Sequence, residues 1–135
     1  MAALTAARST PAAQGDIRRV PLPANGKIFQ GGMVQITAAG YAAAASATAA
    51  NVTIGRAEET VDNTGGANGA VSIDVRRGIF RFANSSAGDL IARTEIGKQV
   101  YVVDDQTVAK TNNAGARPVA GICYDVDAAG VWVEF

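Results

Sequence analysis

The stretch VSIDVRRGIFRF, Val71 to Phe82, constrains the fold of this chain more than any other. Val71, Ile73 and Val75 alternate with Ser72, Asp74 and Arg76, which is the two-residue period of a half-buried strand. Arg77-Gly78 then interrupts the pattern, and beyond it Phe80 and Phe82 share a face opposite Ile79 and Arg81. A one-residue slip carries every side chain to the other face, so two residues must reset the register. The expectation is that Gly78 forms a bulge turning the strand around a barrel corner. Val71, Ile73, Val75, Phe80 and Phe82 are then core positions.

The rest of the chain repeats this grammar. MVQITAAGYAAAA reads as a strand with Val34 and Ile36 alternating and a turn at Gly40, and VTIGRA as a short strand with a bulge at Gly55. Asp62 to Gly69, DNTGGANG, concentrates turn residues and reads as a loop. KQVYVVDDQTVAKT predicts a hairpin around Asp104-Asp105-Gln106, and GICYDVDAAGVWVEF another around Asp127 to Gly130. In the last strand Val131, Val133 and Phe135 alternate with Trp132 and Glu134, so the C-terminus is expected to pair inside a sheet. Pro21 and Pro23 confine their segment to an edge, and Asn25-Gly26 marks a turn. The alanine run from Ala42 to Ala50 lacks large apolar residues and an amphipathic stripe, and reads as loop or shallow strand despite its helix propensity. A single turn near Arg93 to Ile96 is the best helix candidate.

Short strands between glycine-rich turns indicate an all-β fold, a small β-barrel or β-sandwich. Residues 16–135 read as one domain, its large core side chains running from Ile28 onward. Residues 1–15 carry small polar side chains and Pro11, bury too little to offset ordering entropy, and read as a flexible N-terminal arm.

The chemistry is sparse. There is no histidine among 135 residues, which removes the commonest general base, nucleophile activator and zinc ligand. The one cysteine, Cys123, lies in the apolar run GICYDV and reads as a buried free thiol. Glu58-Glu59, Asp104-Asp105 and Asp125 with Asp127 sit in or beside turns, where carboxylates bond local backbone. Asp125-x-Asp127-x-x-Gly130 lacks the later ligands of a calcium loop, and Gly97-Lys98 lacks the flanking residues of a phosphate loop. The expectation is a non-enzyme without metal or cofactor.

Lys plus Arg and Asp plus Glu balance at 12 each, whereas a nucleic-acid binder carries a basic excess. Arg76, Arg77 and Arg81 interleaved with Phe80, Phe82 and Tyr101 are the strongest argument for a single-strand-binding barrel. The competing reading turns the rings inward and pairs the arginines with Asp74, Asp62 or Glu59. No stretch approaches a membrane span, and no secretory leader is legible at the start, so a reducing cytoplasm is the expected place of synthesis.

The order of landmarks resembles the head decoration, or capsid cement, proteins of tailed bacteriophages and prophages. The residues that carry the resemblance are GKIFQGGMVQITAAGYA, NVTIGRAEETVDNTGGANG, VSIDVRRGIFRFANSSAGD, IGKQVYVVDD and AGICYDVDAAGVWVEF. The resemblance implies a structural virion protein on the outer surface of an expanded capsid. Such a protein is a homo-oligomer, dimer or trimer, and braces adjacent copies of the major capsid protein against the pressure of packaged DNA. It implies no enzymatic activity, no direct nucleic-acid contact and no membrane. Arg8, Arg18, Arg19, Arg76, Arg77, Arg81 and Trp132 are the candidate capsid or oligomer contacts. A single-stranded nucleic-acid-binding barrel and a host- or glycan-binding module are the alternatives.

Overall fold

The computed structural model describes residues 2–135, and Met1 of the predicted arm lies outside the described residues. Among the described residues, twelve strands and two 3-10 turns follow one another, an all-β architecture in two parts. The first part holds β1 (Ile17–Pro21), β2 (Lys27–Ile28), β3 (Met33–Ile36), β4 (Ala42–Ala44), β5 (Val52–Ala57), β6 (Val61–Asp62) and β7 (Ser72–Arg76). The second holds β8 (Ile79–Asn84), β9 (Gln99–Val102), β10 (Thr107–Ala109), β11 (Val119–Asp127) and β12 (Gly130–Glu134). The 3-10 turns, Ala87–Asp89 and Arg93–Glu95, lie between β8 and β9, the second of them where the sequence places its helix candidate.

The first part is an open sheet in the order β1-β7-β5-β3-β4, flanked by the small β2-β6 ribbon. Pro21 closes β1 at the sheet edge, where its missing N–H costs no ladder bond. The alanine run supplies β4, the other edge, as a three-residue strand. The second part is a closed barrel, β10-β8-β12-β11-β9, in which β8 and β10 run parallel and the remaining pairs antiparallel. Both predicted hairpins form, β9 with β10 and β11 with β12, and the C-terminal strand is paired on both sides. Gly55 also lies at the expected irregularity, where β3 shifts register against β5.

The structure corrects three readings. Gly78 does not bulge within one strand: β7 ends at Arg76 in the open sheet and β8 starts at Ile79 in the barrel. Arg77-Gly78 is the joint between them, held because Arg77 N–H donates to the Asp16 carbonyl and Phe135 N–H to the Gly78 carbonyl. The interior is divided. Val20, Leu22, Ile28, Val34, Ile54, Ile73 and Val75 pack under the open sheet, while Phe82, Ile91, Val100, Val102, Val108, Cys123, Val131 and Val133 fill the barrel. Core side chains therefore begin before Ile28, with Val20 and Leu22 buried in the proline-flanked segment.

Strand β3 joins the two interiors. Met33 packs into the barrel cluster and Val34 into the sheet cluster, and Gln35 beside them is fully buried instead of facing water. Gln35 satisfies its amide by donating to the Ser46 carbonyl at 3.1 Å and accepting from Ser46 N–H at 3.0 Å and Asn51 Nδ2 at 3.1 Å. A buried amide without partners would cost about 1–3 kcal/mol, which the backbone of the loop after β4 removes. Residues 2–15 form no strand or helix and are exposed throughout.

Candidate functional site

The outer face of the barrel follows from strand register. Val131 and Val133 point inward from β12, so Trp132 and Glu134 point out. Trp132 pairs with Arg81 on β8 and with Asp125 on β11, while Glu134 pairs with Ile79 on β8 and Ile122 on β11. Side chains directly opposite on one face touch, so these six residues make one band across three strands. Tyr124 joins it because β11 shifts register between Cys123 and Asp125, leaving Tyr124 as the extra residue. Tyr124 is 56% exposed, Ile79 38% and Ile122 36%, so three large apolar side chains of the band face outward.

Two depressions lie along this band. The first is a groove lined by Gly31, Arg56, Ile79, Phe80, Arg81, Phe82 and Trp132. In it the Arg56 guanidinium stacks on Phe80 at 4.0 Å from the ring centroid, and Arg81 approaches Trp132 at 5.5 Å. Both are cation–π arrangements that keep a charged head over an apolar face. Phe29, 58% exposed and capped by Lys27 at 5.0 Å, stands on the loop beside Gly31 at the groove's end. The second is a hollow lined by Ile79, Tyr124, Asp125 and Trp132.

Local hydrogen bonds hold the band rigid. Asp127 Oδ1 accepts from Ala129 N–H at 2.7 Å and Gly130 N–H at 3.0 Å, closing the β11–β12 hairpin. Its Oδ2 accepts from Trp132 Nε1 at 2.8 Å, which fixes the indole. Trp132 Nε1–H and then the Ala129 N–H, with Arg81 nearby, hold the Asp127 carboxyl below its ordinary range. Arg56 is anchored by Glu58 at 2.7 Å, and Arg76 reaches the same carboxylate oxygen at 3.1 Å. The Arg56 hydrogen bond, reinforced by both positive charges, lowers the Glu58 pKa. Burial pushes the Cys123 thiol up, away from nucleophilic thiolate.

The arginines singled out by sequence separate in space. Arg81 and Trp132 share the band. Arg76 is tied to Glu58 beside it, and Arg19 pairs with Asp74 at 3.0 Å on the outer face of the open sheet. Of the expected acidic partners, Asp74 and Glu59 pair with Arg19, whereas Asp62 pairs with Lys27. Arg8, Arg18 and Arg77 are exposed and make no ion pair among the described residues. Phe82 is buried and Phe80 half-buried against the barrel interior, so neither ring offers an exposed base-stacking platform.

Sequence reasoning passed over Arg56, Phe29 and Tyr124 as surface residues, and placed Ile79 opposite the core without singling it out. The signal for Ile79 was present, since it alternates with the inward Phe80. Tyr124 carried none, because its outward position depends on a register shift.

No protein-family model matches the chain, and no curated protein or solved structure is significantly similar to it.

Proposed function

We propose that this chain is a structural virion protein, a decoration or cement protein that binds the outside of an expanded tailed-phage capsid and braces adjacent major capsid protein subunits. The observation that carries the proposal is the band of Trp132, Tyr124 and Arg81 on the barrel, with Arg56 in the groove along it. Trp, Tyr and Arg are the side chains that dominate protein–protein binding energy. The supporting chemistry is consistent: the chain is neutral, it contains no histidine, and most of its carboxylates are engaged in turns and ion pairs.

Arg56 and Arg81, stacked on Phe80 and Trp132, present partly dehydrated guanidinium groups that suit carboxylates on a protein partner. Phe29 adds an apolar anchor at one end of the groove. Binding across a junction of several capsid subunits makes weak single contacts collectively firm, because later contacts form at high effective concentration. The virion exterior is the corresponding location, with assembly in the host cytoplasm.

The test is cosedimentation of the purified protein with cognate capsids lacking it, in unexpanded and expanded forms. Saturable binding to expanded heads together with raised heat resistance is the expected result. Binding to neither form overturns the proposal. On the same heads, replacing Arg76, Arg77 and Arg81 with serine should reduce retention, with Arg81→Ser alone accounting for most of the loss.

A further inference from the structure

A groove of about 740 Å3, larger than either depression on the band, lies where the two parts of the molecule meet. It is lined by β9 and β11 of the barrel, by the segment leading into β5 and by the loop leading into β11. Of the band it shares only Ile122 and Glu134. Strand register sets Tyr101 opposite Val119 and Gln99 opposite Ile122, and Val52, 63% exposed, adds apolar surface from the open sheet. The polar lining is held from behind. Fully buried Gln35 accepts from Asn51 Nδ2 at 3.1 Å and reaches Thr53 Oγ1 at 3.4 Å, which leaves Asn51 Oδ1 to accept and the Thr53 hydroxyl to donate. Asn112 Oδ1 accepts from Gly115 N–H at 3.3 Å, so its Nδ2 is spare. The side chains of Gln99, Tyr101 and Glu134 make no hydrogen bond or ion pair among the described residues.

We propose that this groove binds a neutral saccharide, with Tyr101 against a ring face and Gln99, Asn112 and Glu134 on the hydroxyls. Its size falls in the ~300–1,000 Å3 of small-ligand sites, which favour junctions between folded parts. A sugar ring carries C–H groups on its faces and hydroxyls at its rim, each hydroxyl both donor and acceptor. An aromatic ring beside amides and a carboxylate answers both. Other ligand classes match less of the lining. A phosphate-bearing ligand finds no spare cation, because Arg117 is held by Asp89 at 3.2 Å, and Glu134 adds negative charge. A wholly apolar ligand would strip water from Gln99, Asn112 and Glu134 without replacing its hydrogen bonds. Asn51 and Thr53, fixed by Gln35, and Asn112, fixed by its own loop, hold the polar side of the groove in place before a ligand arrives, which lowers the ordering cost of binding. This inference adds a ligand to the chain and does not rest on capsid binding.

The experiment titrates the full chain with neutral hexose and N-acetylhexosamine oligosaccharides, read by calorimetry and by amide NMR. Phosphorylated oligosaccharides and single-stranded oligonucleotides serve as comparators. Expected is saturable binding of a neutral oligosaccharide, with shifts at the Gln99 and Asn112 side-chain amides and along β9. Gln99→Ala, at an exposed position, should weaken binding about 2–10-fold, the value of a hydrogen bond. Tyr101→Ala should weaken it about 10-fold, while Tyr101→Phe, which keeps the ring, should retain most of the affinity. Arg81→Ser on the band should leave saccharide affinity unchanged, and Gln99→Ala should leave capsid cosedimentation unchanged, so the two readings fail separately. No binding of any neutral oligosaccharide at millimolar concentration overturns the proposal. So does tighter binding of the phosphorylated or nucleic-acid comparators, a set of shifts centred on Trp132, or an affinity indifferent to both Gln99→Ala and Tyr101→Ala.

Discussion

The open sheet and the barrel solve the same problem in different ways. Both are built from short alternating strands, yet the barrel closes its hydrogen-bond ladder on itself while the sheet ends in two edges. Closure lets the barrel interior be filled by apolar side chains, from Phe82 to Val133, and the buried carboxylate of that half, Glu95, serves the 3-10 turn before β9 by accepting from Ala92 N–H. The open sheet instead recruits loops over its ends, and loops bring backbone polar groups that need partners. Gln35 and Asn63 are the buried residues that supply them. Asn63 Nδ2 donates to the Pro23 and Ala67 carbonyls at 2.8 and 2.9 Å, while its backbone binds Asn25 and Gly26. An open sheet thus draws more of its specificity from buried amides, and a closed barrel from packing. The exposed aromatic band belongs to the barrel, whose strands are all paired on both sides.

The largest expected effect comes from the residue the two parts share. Met33→Ala should destabilise the chain by about 2–5 kcal/mol, because it empties the barrel side of β3 without touching the sheet side. Denaturant unfolding should show one transition at lower midpoint. Two separate transitions would mean that sheet and barrel unfold independently.

Gln35→Leu comes next, at about 1–3 kcal/mol, since it strands the Ser46 backbone groups and the Asn51 amide. Hydrogen exchange should accelerate around β3 and β4 while the barrel strands keep their protection. Equal acceleration in β8 and β12 would show that the buried amide serves both parts alike.

Asp127→Ala should lower the unfolding midpoint slightly, and less than Gln35→Leu, by releasing the hairpin N–H groups and the Trp132 indole. The Trp132 emission should broaden and shift, and an unchanged spectrum would mean that packing alone holds the ring.

The smallest effect is on acid stability. The folded Glu58 pKa lies below its ordinary 4.5, held down by Arg56 and Arg76. A lowered carboxylate pKa contributes stability above the unfolded value and loses it as pH falls through the folded one. Glu58→Gln should therefore remove up to about 1 kcal/mol near neutrality and leave stability unchanged at a pH below the folded value. A stability difference that persists undiminished at such a pH would assign Glu58 a packing role instead of an electrostatic one.

Much of this was legible from residues alone. The alternation of Val71, Ile73 and Val75, the turns at Asn25-Gly26 and Gly40, both terminal hairpins and the edge position of the proline segment all follow from local rules. Side-chain period, turn propensity and missing donors act within a few residues of themselves, so a sequence displays them directly. The balanced charge and absent histidine likewise bounded the chemistry before any fold was known. What residues alone left open depends on contacts between distant segments. Strand membership is one case: VSIDVR and IFRFAN look continuous, yet closure of β8 against β12 and β10 pulls them into different sheets. The register shift that turns Tyr124 outward and the sharing of Glu58 by Arg56 and Arg76 are others. Local periodicity determined that this chain makes strands and which faces they bury. Pairing between strands far apart in sequence, set by the geometry of closing a barrel, decided where those faces meet.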